Sequence, residues 1–392
     1  MIVVPLCSPW HAPLVEAALS GVDRPCRVTS ASGEDVVRAG LETVNNDACY
    51  AALLSAGRAV SLLRERRREA AGVAEPARVV VPTPCVFCRG DDAPYLVAHA
   101  LDAAGLGEGA GVLGADEALD ALSRDARAVA RLADAVALGD VLLQARLRVR
   151  PYLDEDDARA FDDLLSSQRE GFCASLASVE RLSFGNVLGS FDAAMAGFGV
   201  PDRDGRPVVG VVGTLPAVFD EGMNAGLAAC LEREGCEAAL PYLLPLAVFS
   251  LQQKDVAGPL REALDERCSA LKNRAAAGFS CPTGQDLKRA SADVVPGHVV
   301  QGAGWTIAGY ARLFVRMGMR DLVYARAFGC LAGHVAGQGA LKSLRARCAA
   351  EGSDVNLATI EFDPGTSEVN QVNRIKLMTT VAKRAAKRRR NL

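Results

Sequence analysis

Histidine is scarce in this chain of 392 residues, which holds four. His11, His99 and His298 have no acidic or nucleophilic partner near them in sequence, so a Ser-His-Asp hydrolase apparatus is not expected. Excess charge is missing as well. The 44 Lys and Arg against 47 Asp and Glu leave a formal charge of −3. That balance lacks the broad basic face of a nucleic-acid binder, and no specific nucleic acid is expected as a partner. No apolar run is long enough to span a bilayer: the longest, residues 238–251 (AALPYLLPLAVFSL), is too short and holds Pro241 and Pro245. The opening MIVVPLCSPW has no basic n-region and no long apolar h-region, so it is read as a first buried strand and not as a secretory signal. The cytoplasm is the expected compartment. Twelve cysteines are too few for the disulfide scaffold of a small secreted protein.

What the chain does have is apolar mass. Half of it is hydrophobic and the mean hydropathy is +0.13, which excludes a mostly disordered chain. Its length exceeds the roughly 250–300 residues that one core supports, so two domains are expected. Short β-rich runs alternate with Ala/Leu helices, the pattern of an α/β fold with parallel sheets. Strands are expected at 2–6, 78–81, 208–212, 238–246, 320–327 and 357–362. Helices are expected at 13–19, 35–44, 48–68, 94–104, 224–234, 334–351 and 369–384. From 116 to 188 the periodicity is almost entirely helical, with Pro151 as an interruption. GEGAGVLG at 107–114 lacks a strand–turn–helix context and reads as a loop. The Gly/Pro/Asp-rich segment 197–207 (GFGVPDRDGRP) marks the boundary between a domain at 1–200, with a helical extension over about 116–190, and a second at 201–392.

Six cysteines, Cys26, Cys173, Cys230, Cys236, Cys268 and Cys348, lie in helix-like or turn contexts without a partner motif and read as small buried hydrophobes. Others share a different setting. Cys49 opens a helix that Asn46 or Asp47 can cap, where free amides and the dipole favour thiolate. Cys85 and Cys88 lie between a strand and a helix, with Arg89 adding positive charge. Cys330 follows a strand, between Gly329 and Gly333, which let backbone approach a bulky ligand. In open α/β sheets such loops line the ligand crevice. One C-x-x-C and two isolated cysteines suit zinc, a dithiol, an iron–sulfur cluster or no metal at all. His334, four after Cys330, could complete a zinc site with Cys85, Cys88 and Cys330, or could serve structurally as a donor to sulfur or a helix cap. The stretch 363–373 (DPGTSEVNQVN) follows a strand and opens a helix. Its amides, Thr366, Ser367 and Asn370 are candidates to bind a cofactor phosphate, and equally Thr366 or Ser367 only caps the helix. Trp305 and Tyr310, at helical spacing, are expected in the core. The tail at 383–390 (KRAAKRRR) suits a solvated helix end, or an acidic partner.

Several segments resemble the 2-hydroxyacyl-CoA dehydratase / benzoyl-CoA reductase superfamily, and most of all the C-terminal module of acyl-CoA dehydratase activase-related proteins. They are VNNDACYAALLSAGR at 44–58, CRGDDAPYL at 88–96, GDVLLQARLRVRPY at 139–152, GAGWTIAGY at 302–310, AFGCLAGHVAGQGALKSLR at 327–345 and EFDPGTSEVNQVNRIKLM at 361–378. The resemblance implies two Rossmann-like domains with parallel sheets, a helical segment between them, and Cys49, Cys88 and Cys330 as ligands of a [4Fe-4S] cluster. It also implies a separate ATP-hydrolysing activator of the actin/Hsp70-like fold that delivers low-potential electrons. In the dehydratases of that superfamily the electron makes a ketyl radical of a 2-hydroxyacyl-CoA, whereas double-cubane relatives reduce small molecules. A CoA thioester substrate and a paired homologous subunit or homodimer follow as further implications. The sequence departs from the family pattern at PTPCVFC, which adds Cys85 as an extra or alternative ligand suited to a double-cubane [8Fe-9S] cluster. It departs also at Ala51, Ala332 and Gly333, where proline, proline and asparagine are usual. Beside this stands a different class of reading, a non-catalytic partner module stabilised by zinc or lacking a metal.

Overall fold

The computed structural model describes residues 1–20, 25–70, 76–83, 88–178, 183–198, 205–272, 280–296, 299, 301–365 and 368–390. A first sheet takes the Val-rich runs β1 (Ile2–Pro5), β2 (Cys26–Thr29), β3 (Ala77–Val81) and β4 (Ala110–Gly114), all parallel, in the order β2-β1-β3-β4. Its connections are α1 (Ala12–Leu19), α2 (Glu34–Thr43), α3 (Tyr50–Glu69) and α4 (Ala93–Ala103). Val3, Val79 and Val81 point to one face of the sheet and share a core with Ala52, Ala56 and Val60 of α3 and Val97 and Leu101 of α4. Arg66, Arg67 and Arg68 close α3, where cations meet the negative end of the helix dipole.

A helical layer follows: α5 (Ala115–Leu122), α6 (Ala126–Val149), α7 (Glu155–Ala177) and α8 (Phe184–Met195). Asp125, Asp154 and Ser183 each accept amide hydrogen bonds as N-caps of the last three. A second sheet, β5 (Val208–Gly213), β6 (Glu237–Ala239), β7 (Asp321–Ala327) and β8 (Asn356–Phe362), is again all parallel and ordered β6-β5-β7-β8. Around it lie α9 (Leu215–Phe219), α10 (Leu227–Arg233), α11 (Leu243–Lys254), α12 (Gly258–Lys272), α13 (Gly284–Ser291), α14 (Trp305–Arg316), α15 (Gly339–Ala350) and α16 (Glu368–Arg390). The chain is α/β, with two Rossmann-like units of one strand order. Helix α6 packs against α1 on one side and α11 and α12 on the other, which explains why it is buried around most of its circumference.

Three elements differ from the sequence expectation. The apolar run 238–246 is not one strand: β6 stops at Ala239 and α11 begins at Leu243. Both carboxylate oxygens of Asp140, on α6, accept the Leu243 and Leu244 amides at 2.8 Å and start the helix from afar. Pro245 is tolerated there because the first turn has no intrahelical acceptor for its missing N–H. Residues 107–114 are a short helical turn followed by the edge strand β4, not a loop. Strand β2 had no pattern to announce it. Trp305 and Tyr310 do lie in the core, Trp305 edge-on to Phe249 and the Tyr310 hydroxyl donating to the Tyr242 carbonyl. Five of the six cysteines read as core are buried, while Cys173 is only partly so. Among the described residues no helix is long and apolar enough to cross a membrane.

Candidate metal centre

In each sheet the chain winds away from its first strand in opposite directions, so the gaps above β1/β3 and β5/β7 are where ligands bind in such sheets. Both gaps open into one cavity of about 1300 Å³, lined by Cys7, Cys49 and Cys88 from the first half and by Thr214 and Cys330 from the second.

Cys49 is the N-cap of α3 rather than a member of its first turn. The next amide, Tyr50 N–H, donates across the crevice to the Phe328 carbonyl at 3.1 Å. Gly329 then sits at φ +69° directly over Cys49: a Cβ there would stand 3.2 Å from the Cys49 Cα and 3.3 Å from the Ala48 carbonyl oxygen. Cys330 follows, its sulfur accepting the Gly333 amide at 3.4 Å. The buried Thr214 hydroxyl lies beside that sulfur and favours its anion. Cys88 caps the short turn Arg89–Asp92: its sulfur accepts the Gly90 amide at 3.2 Å and the Asp91 carboxylate accepts the Cys88 amide at 3.3 Å. Arg89 donates to the Asp47 carbonyl at 3.2 Å and ties this turn to the Cys49 turn. Lys254 of α11 ties Thr83, just after β3, to α5, with Nζ 2.7 Å from Thr83 Oγ1 and 2.8 Å from Asp116 Oδ2.

The three thiols feel one another. Burial pushes the Cys49 thiol up, against the Ala51 and Ala52 amides and the Arg89 charge, and Cys88 pushes it further. Burial takes Cys330 up to about 12, with Cys49 and Cys88 adding to the rise and the Gly333 amide and Thr214 hydroxyl opposing it. A coordinated cation reverses this order, since metal-bound thiols are deprotonated. The N–H and O–H donors aimed at sulfur fit that state, because sulfur hydrogen bonds stabilise thiolate ligands and set cluster potentials. Among the described residues, no three His, Cys, Asp or Glu side chains group as ligands of a single metal ion.

Other sequence candidates fare differently. Cys85, Thr366 and Ser367 lie outside the described residues. Asn370 is exposed on α16 and is not among the residues lining the crevice. His334 is exposed, with Nδ1 3.4 Å from Arg326 Nη1, and does not line the crevice either. Gly333 makes room for protein rather than for a ligand. The Tyr324 hydroxyl donates to its carbonyl, and a Cβ at Gly337 would stand 2.2 Å from that hydroxyl. The inserted side chain accounts for the wide π-helical turn over Gly333–Gln338.

Sequence reasoning missed Cys7, although its position directly after β1 obeys the same carboxyl-end rule. Burial and the Asp220 charge push its thiol up to about 12, against Arg58. It also missed the partners of His11: Ser8 Oγ is 2.7 Å from Nδ1, and Asp140 Oδ1 is 3.3 Å from Nε2. This Ser-His-Asp series has no solvent exposure and lies outside the crevice, and both Asp140 oxygens hold α11. Through the Leu243 and Leu244 amides it ties the first half to α11 of the second, and it has no opening for a substrate. Compared with protein-family models, curated proteins and solved structures, the chain matches none.

Proposed function

We propose that this chain is a cytoplasmic iron–sulfur protein, the electron-accepting or catalytic component of an ATP-dependent system of the 2-hydroxyacyl-CoA dehydratase or double-cubane reductase kind. The observation that carries the reading is the convergence of Cys49, Cys88 and Cys330, from three distant segments, on one crevice between the sheets, with amide donors on the sulfurs of the last two. These residues would hold a [4Fe-4S] cluster, or with Cys85 a double-cubane [8Fe-9S] cluster. Such a group supplies low-potential electrons and, with three protein thiolates on a cubane, one iron open to a substrate oxygen. The chain's own part is to present the thiolates, to donate hydrogen bonds from Gly90 and Gly333, to set the Thr214 hydroxyl where it favours the Cys330 anion, and to keep water away with the apolar walls of the cavity. The electron donor in this reading is a separate ATP-hydrolysing activator. A paired homologous subunit or second copy completes the assembly, and a CoA thioester is the substrate of the dehydratase form.

A non-catalytic partner module, with zinc or without a cluster, is the second reading. It is favoured by the raised thiols of Cys49 and Cys330, which stay neutral unless a cation draws off their protons. Iron and acid-labile sulfide per chain, measured after oxygen-free purification, separate the two. About four of each, lost in Cys49→Ser, Cys88→Ser and Cys330→Ser, is expected, or about eight irons for the double-cubane form. No iron or sulfide after anaerobic reconstitution, or one zinc in a colourless protein, sinks the first reading.

A further inference from the structure

The thiols occupy only one end of the cavity. Its other arm runs beneath the first sheet, on the face turned away from α3 and α4. Side chains alternate across a strand, so the face opposite Val3, Val79 and Val81 carries Ile2 and Val4 of β1, Arg78 and Val80 of β3, and Leu113 of β4. In a doubly wound sheet helices normally pack tightly on that face as well. Here α5 stands over it without burying any of its residues fully, although Ala115, Ala118, Leu119 and Leu122 line the void. Leu246 and Leu251 of α11 close the far side. An apolar sheet face, an amphipathic helix and a second helix therefore surround open volume where a core would otherwise be.

The arm has a polar end. Arg78, near the amino edge of the sheet, lines the cavity, is exposed, and makes no ion pair or hydrogen bond through its guanidinium among the described residues. Arg127, in the first turn of α6, is a second such guanidinium on the lining. The carboxylates of the lining are mostly engaged elsewhere: Asp116 on Lys254, Asp125 on the first amides of α6, Asp220 on Arg58, with Glu117 exposed. From Arg78 to Thr83, past the carboxyl end of β3, the chain advances five residues, roughly 17 Å at the rise of a strand. The volume exceeds the roughly 300–1000 Å³ of ordinary small-molecule pockets.

We infer that this arm is a binding site for an elongated apolar monocarboxylate of fatty-acid type, its carboxylate on Arg78 and its chain between the sheet and α5 and α11. Charge complementarity places the head group, since a planar guanidinium at the mouth of an apolar slot pairs with carboxylate in two parallel hydrogen bonds. The site uses none of the cysteines, so it stands apart from the cluster reading, and iron content is indifferent to it.

The test is fluorescence titration of the full chain with 11-(dansylamino)undecanoate, followed by displacement with dodecanoate and with the neutral dodecanamide. Saturable binding of one probe per chain is expected, with dodecanoate displacing it about tenfold more effectively than dodecanamide. Arg78→Gln should weaken probe binding about tenfold and erase that preference. Leu119→Trp, which fills the slot from the cavity-lining face of α5, should abolish binding while the far-UV circular dichroism is kept. Absence of saturable binding overturns the site. So does equal displacement by the acid and the amide, or wild-type affinity in both variants.

Discussion

A methyl group at position 329 would meet the Cys49 Cα at 3.2 Å on a backbone already at φ +69°. Left-handed backbone costs an L-residue roughly 1–2 kcal/mol before any contact is counted, and here the neighbour is main chain that cannot step aside. Gly329→Ala is therefore expected to lower stability by at least about 1–2 kcal/mol in urea unfolding. It should also reduce iron retention, because the displaced group carries the Cys49 sulfur. Unchanged stability and iron content would contradict the close approach. At this scale the sequence marks positions without naming neighbours. A glycine on each side of Cys330 suggests a close approach, but what approaches is Cys49 for Gly329 and the Tyr324 hydroxyl for Gly333 and Gly337. Cys49 lies in the other half of the chain, where no motif spacing could pair it with Gly329, and Tyr324, though nine residues before Gly333, reaches it from a strand.

At the scale of elements, the same contrast separates β7 from α11. Strand β7 and the helix after it are written locally, in a run of β-formers followed by glycine and an Ala/Leu helix. Helix α11 is written partly in α6, since Asp140 satisfies its first amides, and a local window over 238–246 sees only apolar residues. Strand β4 is hidden for another reason, because its glycines and small residues suit an edge strand that buries little. Helix α13 is the opposite case, with its start signal within four residues. Thr283 accepts the Asp286 amide, and the Asp286 carboxylate accepts the Thr283 amide at 2.9 Å. Burial works against that carboxylate, but hydrogen bonds from Lys272, the Thr283 amide and hydroxyl, and Arg289 together hold its pKa well below the usual range. A depressed folded-state pKa gives stability that is present above the unfolded value, about 3.9, and lost as pH falls through the folded one. Asp286→Asn is expected to cost about 1 kcal/mol at neutral pH. Below about pH 4 it should lose less stability than the wild type does. Urea midpoints between pH 3 and 7 check both. Parallel acid limbs for the two proteins would assign the acid sensitivity to other carboxylates.

Across the whole molecule, buried polar contacts hold the halves around the crevice, among them two built on ionisable side chains. One is the Ser8–His11–Asp140 series, which reaches the second half through the Leu243 and Leu244 amides on Asp140, and against which Gly139 packs so closely that a Cβ there would stand 2.3 Å from the imidazole. The other is Arg58 of α3 with Asp220 after α9, at 2.5 Å, with both side chains almost wholly buried. Arg58 also donates to the Ala31 carbonyl, and Asp220 accepts the Met223 amide, so each charge is held by its own half before they meet. The sequence announces an α/β chain with parallel sheets through its strand–helix alternation. It does not announce this pair, whose members are 162 positions apart. Truncating one member strands the other charge in the interface, which costs about 3–5 kcal/mol, whereas replacing both by apolar side chains of similar volume is often nearly neutral. Asp220→Ala should therefore lower the urea midpoint strongly, and Arg58→Met with Asp220→Leu should recover most of the loss. Because both residues line the cavity that holds the thiols, iron retention should follow the same order: wild type and double variant high, single variant low. Recovery of stability without recovery of iron would show that the ion pair serves the proposed metal centre, beyond joining the halves. Failure to recover either would mean that the interface needs the charges for its geometry and not merely their mutual neutralisation.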